Sequence, residues 1–439
     1  MPQQTILRAD WVVPVRPAGQ VIRDGVVVLE GERIAAVGPA SSVDPTRVDE
    51  HLRGHVLLPG LVNAHTHLAM TLMRGVADDL PLMTWLQEHI WPLEGQLVNA
   101  EFCHDGARLG LAESLRGGVT CVNDMYFHPQ ATVAALDELG LRGMVGLILL
   151  DFPTPYADGP AAYFERGLEL HDSLRGHARI GCMFAPHAPY TVGDDSLRRL
   201  RSLSDELNLR VHMHVHETAQ EVADAESQQG RRPLSRLQDL GLLNEALTAV
   251  HMTQLQPAEI EAVAAAGASV VHCPESNLKL ASGFCPVDAL LRAGVPLGLG
   301  TDGAASNNDL DLLGEARTAA LLAKGVAGRA DALPAAQALE MATLGGAQAQ
   351  ALGLADEIGS LEPGKQADLI ALRIDELESQ PLFDPLSHLV YAASRRQVTQ
   401  AWVAGVRRLR DGELPGVDVG ALRANVSQWQ QRIEELRRG

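Results

Sequence analysis

Lysine is nearly missing from this chain of 439 residues: the first is Lys279, and only Lys324 and Lys365 follow. Cysteine is sparse as well, with five residues (Cys103, Cys121, Cys182, Cys273 and Cys285) and no CxxC pair. That spacing argues against a disulfide framework and fits the reduced, buried thiols of a cytosolic protein. No apolar run reaches the length that crosses a bilayer. The first residues, MPQQTILRADW, lack the charged and apolar regions of a secretory leader. A cytoplasmic location is the expectation. Clusters of basic residues are missing too, and the net charge is −19. Nucleic acid and anionic membranes both reward basic patches, so neither is expected as a partner. An anionic substrate is mildly disfavoured for the same reason.

What is present is an ordinary globular composition, 46% hydrophobic and 21% charged. The length calls for a large domain with an accessory one. The first 55 or so residues read as short strands with turns, and Glu30-Gly31-Glu32 between VVVL and RIAAVG is a hairpin signal. GSLEPGKQADLIALRI and QAWVAGVRRLRDGEL have the same character near the other end. Between them lie eight short apolar strands, each ahead of an amphipathic helical stretch: LPGLVNAHTH, GVTCVNDM, RGMVGLIL, ARIGCMFAPH, LRVHMHVH, LTAVHM, ASVVHCP and VPLGLGTD. Eight βα units in succession predict a (β/α)8 TIM-type barrel with its functional groups at the C-terminal strand ends. The expected organisation is residues 1–56 and 359–414 meeting as one small β-sandwich, 57–358 as the barrel, and 415–439 as a C-terminal helix.

The polar residues at those strand ends form a pattern. His65-Thr66-His67 closes the first barrel strand, and two histidines at i and i+2 can share a metal. His187 closes the fourth, the run His212-Met213-His214-Val215-His216-Glu217 the fifth, His251 the sixth and Asp302 the eighth. Each has a plainer alternative, a buried histidine bonded to a carbonyl or an aspartate capping a helix. Their arrival at one edge of one barrel favours a metal site. Histidine and carboxylate ligands with an open position describe a catalytic zinc, ahead of iron or manganese. A carboxylated lysine bridging two metals from an early strand is impossible with the first lysine at position 279. One metal held by His65, His67, one histidine of the fifth strand and Asp302 is the economical reading.

PGLVNAHTHLAMTLMRG, WPLE, HAPYTV, HMHVHET, HCPESNLKL, LGTDGAASNNDLDLL and GSLEPGKQADLI together resemble the amidohydrolase superfamily, nearest its 5′-methylthioadenosine/S-adenosylhomocysteine deaminase group. The resemblance runs from about residue 5 to 410. It implies hydrolytic deamination of an aminopurine nucleoside in a subunit that holds one zinc, and a homo-oligomer. The family's fifth-strand ligand lies three residues before the catalytic glutamate, which maps onto His214 and Glu217 and leaves His212 and His216 as structural neighbours. Strict alternation would turn Glu217 away, so the strand is expected to end near His214. Asp302 would take the proton of the attacking water, His251 would orient that water, and Glu217 would protonate the ring nitrogen. Glu94 matches a carboxylate that accepts from ribose hydroxyls, and His187 a histidine that touches the purine.

Leu80, Leu82, Met83, Trp85 and Trp91 could line a methylthio pocket or form loop core. Some relatives carry arginines after the third strand suited to a homocysteine carboxylate. Here LILLDFPTPYADGPAAYFERG has none before Arg166, so 5′-methylthioadenosine is expected ahead of S-adenosylhomocysteine, with adenosine second. The alternatives are a deaminase or chlorohydrolase of another amino-heterocycle (guanine, a pterin or a triazine), an amide-bond hydrolase, and a metal-binding protein without catalysis.

Overall fold

The computed structural model describes residues 4–351 and 353–438. Four strands come from the N-terminal segment: β1 (Gln4–Val12), β2 (Ile22–Glu30), β3 (Arg33–Pro39) and β4 (Glu50–Pro59). Eight follow in the middle: β5 (Leu61–Thr66), β6 (Val119–Asp124), β7 (Arg142–Leu149), β8 (Ile180–Pro186), β9 (Val211–Val215), β10 (Leu247–His251), β11 (Ser269–His272) and β12 (Leu297–Leu299). The C-terminal segment adds β13 (Leu369–Arg373), β14 (Val398–Val403) and β15 (Val406–Arg410).

The outer strands form one mixed seven-stranded sheet in the order β15-β14-β13-β4-β1-β2-β3. β2 and β3 pair as the expected hairpin, with Gly31 at φ +61° in its turn, a conformation glycine adopts without steric cost. β4 joins the two ends of the chain, running parallel to β1 and antiparallel to β13. It passes into the barrel through Gly60, where an added Cβ would lie 2.0 Å from Thr120 Oγ1.

The middle strands form the other sheet, β5 to β12 in chain order and all parallel. Their residues are buried on both faces, which is why they read as near-continuous apolar runs rather than alternating ones. A bridge between Thr66 and Asp302, with Asp302 N donating to His65 O at 3.0 Å, brings the last strand back to the first. The eight-unit pattern thus closes as a barrel, and closure itself sets His65 beside Asp302.

The GKQADLI stretch ties sheet to barrel. Arg142, at the start of β7, donates to Asp368 Oδ2 at 2.8 Å, and Ala404 N donates to Oδ1 at 2.8 Å. Arg142 and Asp368 are both buried. Removing one member of a buried pair strands the other charge, a loss of about 3–5 kcal/mol. Asp368→Ala is therefore expected to lower the urea midpoint of unfolding by a corresponding amount.

The C-terminal helix Val419–Arg438 buries Leu422, Trp429 and Ile433. Trp429 Nε1 donates to Asp105 Oδ2 at 2.8 Å, which docks it on helix Ala100–Arg116. All five cysteines are free and buried. Among the described residues, no helix is long and apolar enough to cross a membrane.

Candidate metal and nucleoside site

The His-Thr-His segment is held by its middle residue. Thr66 is fully buried against β6 and donates through Oγ1 to Asn123 O at 2.9 Å, while Asp124 Oδ1 accepts from Leu68 N at 2.7 Å. His65 and His67 then face the mouth. His67 Nδ1 bonds the Met125 carbonyl, His214 Nδ1 bonds His187 O at 2.9 Å, and His251 Nδ1 bonds Asn277 Oδ1 at 2.8 Å. His65 Nδ1 lies 2.8 Å from His212 Nε2.

Carbonyl acceptors require the proton on Nδ1 of His67, His214 and His251, which leaves each Nε2 as a bare lone pair, and His65 matches them when its Nδ1 donates to His212 Nε2. Those lone pairs meet. His65 Nε2 and His214 Nε2 are 3.1 Å apart, and Asp302 Oδ1 lies 3.4 Å from His65 Nε2 and 3.2 Å from His67 Nε2. One ligand atom each from His65, His67 and Asp302 falls within 4.8 Å of the others, as do those of His65, His214 and His251. Burial pushes His65 down to about 4 and His214 well below the ordinary histidine range, so these two imidazoles are neutral as ligands must be, whereas at His67 burial is outweighed by Asp302 beside it, which raises it. Converging lone pairs and a carboxylate repel one another unless a cation sits among them. The donor set fits zinc.

β9 stops at Val215, and His216 adopts φ +53°. That left-handed step breaks the alternation and turns Glu217 into the site, where its Oε2 lies 3.7 Å from His251 Nε2. His216 is turned away: its Nε2 accepts from Leu234 N at 3.2 Å and its Nδ1 lies 3.9 Å from Glu259. His251 and Asp302 also have positive φ, +74° and +61°. Such conformations cost about 1–3 kcal/mol each and collect where surrounding structure imposes them for function. Among the described residues, His272, at the end of β11, has no hydrogen-bond partner for its buried ring nitrogens.

Glu217 is buried, which raises its pKa, while the neighbouring His251 works against that rise. The Glu217 backbone is held from two sides, N–H to Glu221 Oε2 at 2.7 Å and C=O from Thr253 Oγ1 at 2.7 Å. Sequence reasoning passed over Glu221, although Thr218-x-x-Glu221 is a capping-box spacing at the start of helix Ala219–Gln229. It also passed over Ser276, which donates to Asp302 Oδ2 at 2.7 Å.

Over the metal groups opens a cavity of about 320 Å³. His67, His187, His214, Glu217, His251 and Asp302 form its polar floor, and Glu94 stands on its wall. His187 Nδ1 lies 3.2 Å from Thr191 Oγ1. Of the loop residues considered from the sequence, Leu82, Trp85 and Trp91 line the cavity, whereas Leu80 and Met83 pack against the loop core. Phe152, Pro153 and Pro155 line the cavity as well. No lysine or arginine lines the cavity among the described residues. Arg166 instead lies on the Tyr156 ring, 5.1 Å from its centroid.

Comparison with known proteins agrees with this geometry. The model of the amidohydrolase family matches residues 56–408. A 5-methylthioadenosine/S-adenosylhomocysteine deaminase of Saccharophagus degradans is 47% identical over 99% of this chain and 98% of its own. The crystal structure of an adenosine deaminase from Xanthomonas campestris with bound zinc superposes with a TM-score of 0.96 at 53% identity, covering 99% of both chains. An atrazine chlorohydrolase from Arthrobacter aurescens, complexed with zinc, shares the fold with a TM-score of 0.89 at 23% identity, over 97% of this chain and 100% of its own. With four-fifths of its length matched and its strand-end histidines and aspartate gathered at one barrel mouth, the chain belongs to the amidohydrolase family.

Proposed function

We propose that this protein is a zinc-dependent hydrolytic deaminase of adenosine-type nucleosides. Its main reaction converts 5′-methylthioadenosine and water to 5′-methylthioinosine and ammonia, with adenosine and S-adenosylhomocysteine as further substrates. The relatives named for these activities support the nucleoside class. The preference within it rests on one observation, a cavity wall without any cation at its apolar end.

His65, His67, His214 and Asp302 would hold the metal, which would supply the acidity that makes a water nucleophilic near neutral pH. His251 Nε2, fixed by Asn277, orients that water toward the purine C6. Asp302, steadied by Ser276, takes one of its protons as the C6–O bond forms. Glu217 gives its proton to N1, which keeps charge off the ring as C6 becomes tetrahedral. The proton on Asp302 then passes to the amino group, the C6–N bond breaks and ammonia leaves. The new hydroxyl proton returns to Glu217, which restores both carboxyls and leaves the 6-oxo product. His187 borders the same floor and would contact the base, while Glu94 would accept from the ribose.

Steady-state kinetics of the zinc form test the preference. A homocysteine carboxylate would enter an uncompensated apolar wall, and leaving a charged group without its partner costs more than the 1.4 kcal/mol or so that makes a tenfold difference. The kcat/KM for 5′-methylthioadenosine is expected to exceed that for S-adenosylhomocysteine by roughly tenfold or more. Equal or reversed values would overturn it.

A further inference from the structure

We propose that Tyr126 is a specificity-determining positioning residue: its hydroxyl pins one oxygen of Glu94, so that the other faces the cavity as the acceptor for the vicinal diol of a ribose. The inference rests on the nucleoside reading above.

Tyr126 follows the end of β6, and its ring is 5% exposed. Phe127 and His67 flank that ring at centroid distances of 5.3 and 6.3 Å, which fixes where its hydroxyl points. The hydroxyl donates to Glu94 Oε1 at 2.6 Å. Among the described residues no other group bonds the Glu94 carboxylate, and Oε2 is left without a protein donor. A glutamate kept for fold stability in such a place would be paired with a cation or would cap its own helix. Glu94 does neither, though it sits in the first turn of helix Trp91–Leu97. Burial without a cation pushes it up to about 7, and the Tyr126 bond works against that rise. The tyrosine hydroxyl itself is held far above its ordinary range, so it remains a donor at any working pH.

A free carboxylate oxygen on a cavity wall can accept from two adjacent hydroxyls at once, because each oxygen carries two lone pairs. A carboxylate free to rotate would first have to be immobilised, and hydrogen bonds to ionised groups gain from being held in place. Tyr126 bridges the end of a barrel strand to the loop helix and supplies that immobilisation.

The test is steady-state kinetics of the zinc-loaded enzyme on adenosine and 2′,3′-dideoxyadenosine, a pair that differs only in the diol. Tyr126→Phe is expected to raise the KM for adenosine about tenfold with kcat within about twofold, and to leave the KM for the dideoxy compound within about twofold. In a Glu94→Gln background, Tyr126→Phe is expected to add little, because its effect runs through Glu94. An equal penalty on both substrates, or a full additional penalty in the Glu94→Gln background, would overturn the proposal and assign Tyr126 to packing. Thermal melting of each variant separates these results from misfolding, and the Glu94→Gln arm carries the test by itself through the same diol dependence. Wild-type enzyme that releases no ammonia from either nucleoside would instead overturn the deaminase reading.

Discussion

Glu217→Gln is expected to lower kcat on 5′-methylthioadenosine by a factor between about 10² and 10⁴, the usual range for removing a positioned general acid, while one equivalent of zinc stays bound. The two halves of that result belong together. Glu217 is placed by backbone bonds from Glu221 and Thr253 and by the left-handed turn at His216, none of which the amide disturbs. Glutamine keeps the size and polarity of the side chain but has no proton to give N1. Burial raises the pKa of Glu217, which favours the protonated form the step needs. Zinc analysis beside single-turnover kinetics checks both halves. Loss of metal with loss of rate would make Glu217 a structural support rather than the acid.

The three histidines of β9 and its end are expected to separate in a zinc-content series. His214→Ala should empty the site and abolish turnover, because its Nε2 is one of the lone pairs at the converging point. His216→Ala should keep zinc, since that ring faces Glu259 and Leu234 on the far side. His212→Ala falls between them. The sequence pattern places His212 with His216 as a bystander in the barrel wall, and the structure alters that expectation. His212 Nε2 lies 2.8 Å from His65 Nδ1, with Asn123 next in line. An outer partner of this kind orients its ligand, and its loss costs about tenfold to a hundredfold in metal affinity. Competition with a chelator of known affinity reads the difference. Zinc retention by His214→Ala, or loss in His216→Ala, would place the register of this strand end wrongly.

The site's outline was legible because strand ends are marked in the sequence. Parallel strands buried on both faces leave apolar runs, so a polar residue that closes a run stands out, and seven such residues from five of the strands (His65, His67, His187, His214, Glu217, His251 and Asp302) border the cavity or its candidate metal ligands. Glu217 was harder. Period-two alternation sends it outward, and only the φ +53° turn at His216 brings it in. The partners were not legible. Asn277 on His251, Ser276 on Asp302 and Tyr126 on Glu94 are joined across 26, 26 and 32 positions by barrel register and loop packing, and a local pattern carries no trace of such pairings. The same holds for the closure bridge from Thr66 to Asp302, which needs the whole barrel to form.

The most direct measurement of the central claim is ammonia release by the one-zinc protein offered 5′-methylthioadenosine, adenosine, adenine and guanine in parallel. The account predicts stoichiometric ammonia and the 6-oxo nucleoside from the two ribosides, with 5′-methylthioadenosine the better, and far slower release from the free bases that cannot engage Glu94. Zinc-loaded protein that leaves both ribosides intact, or that turns over a free base faster, would contradict it.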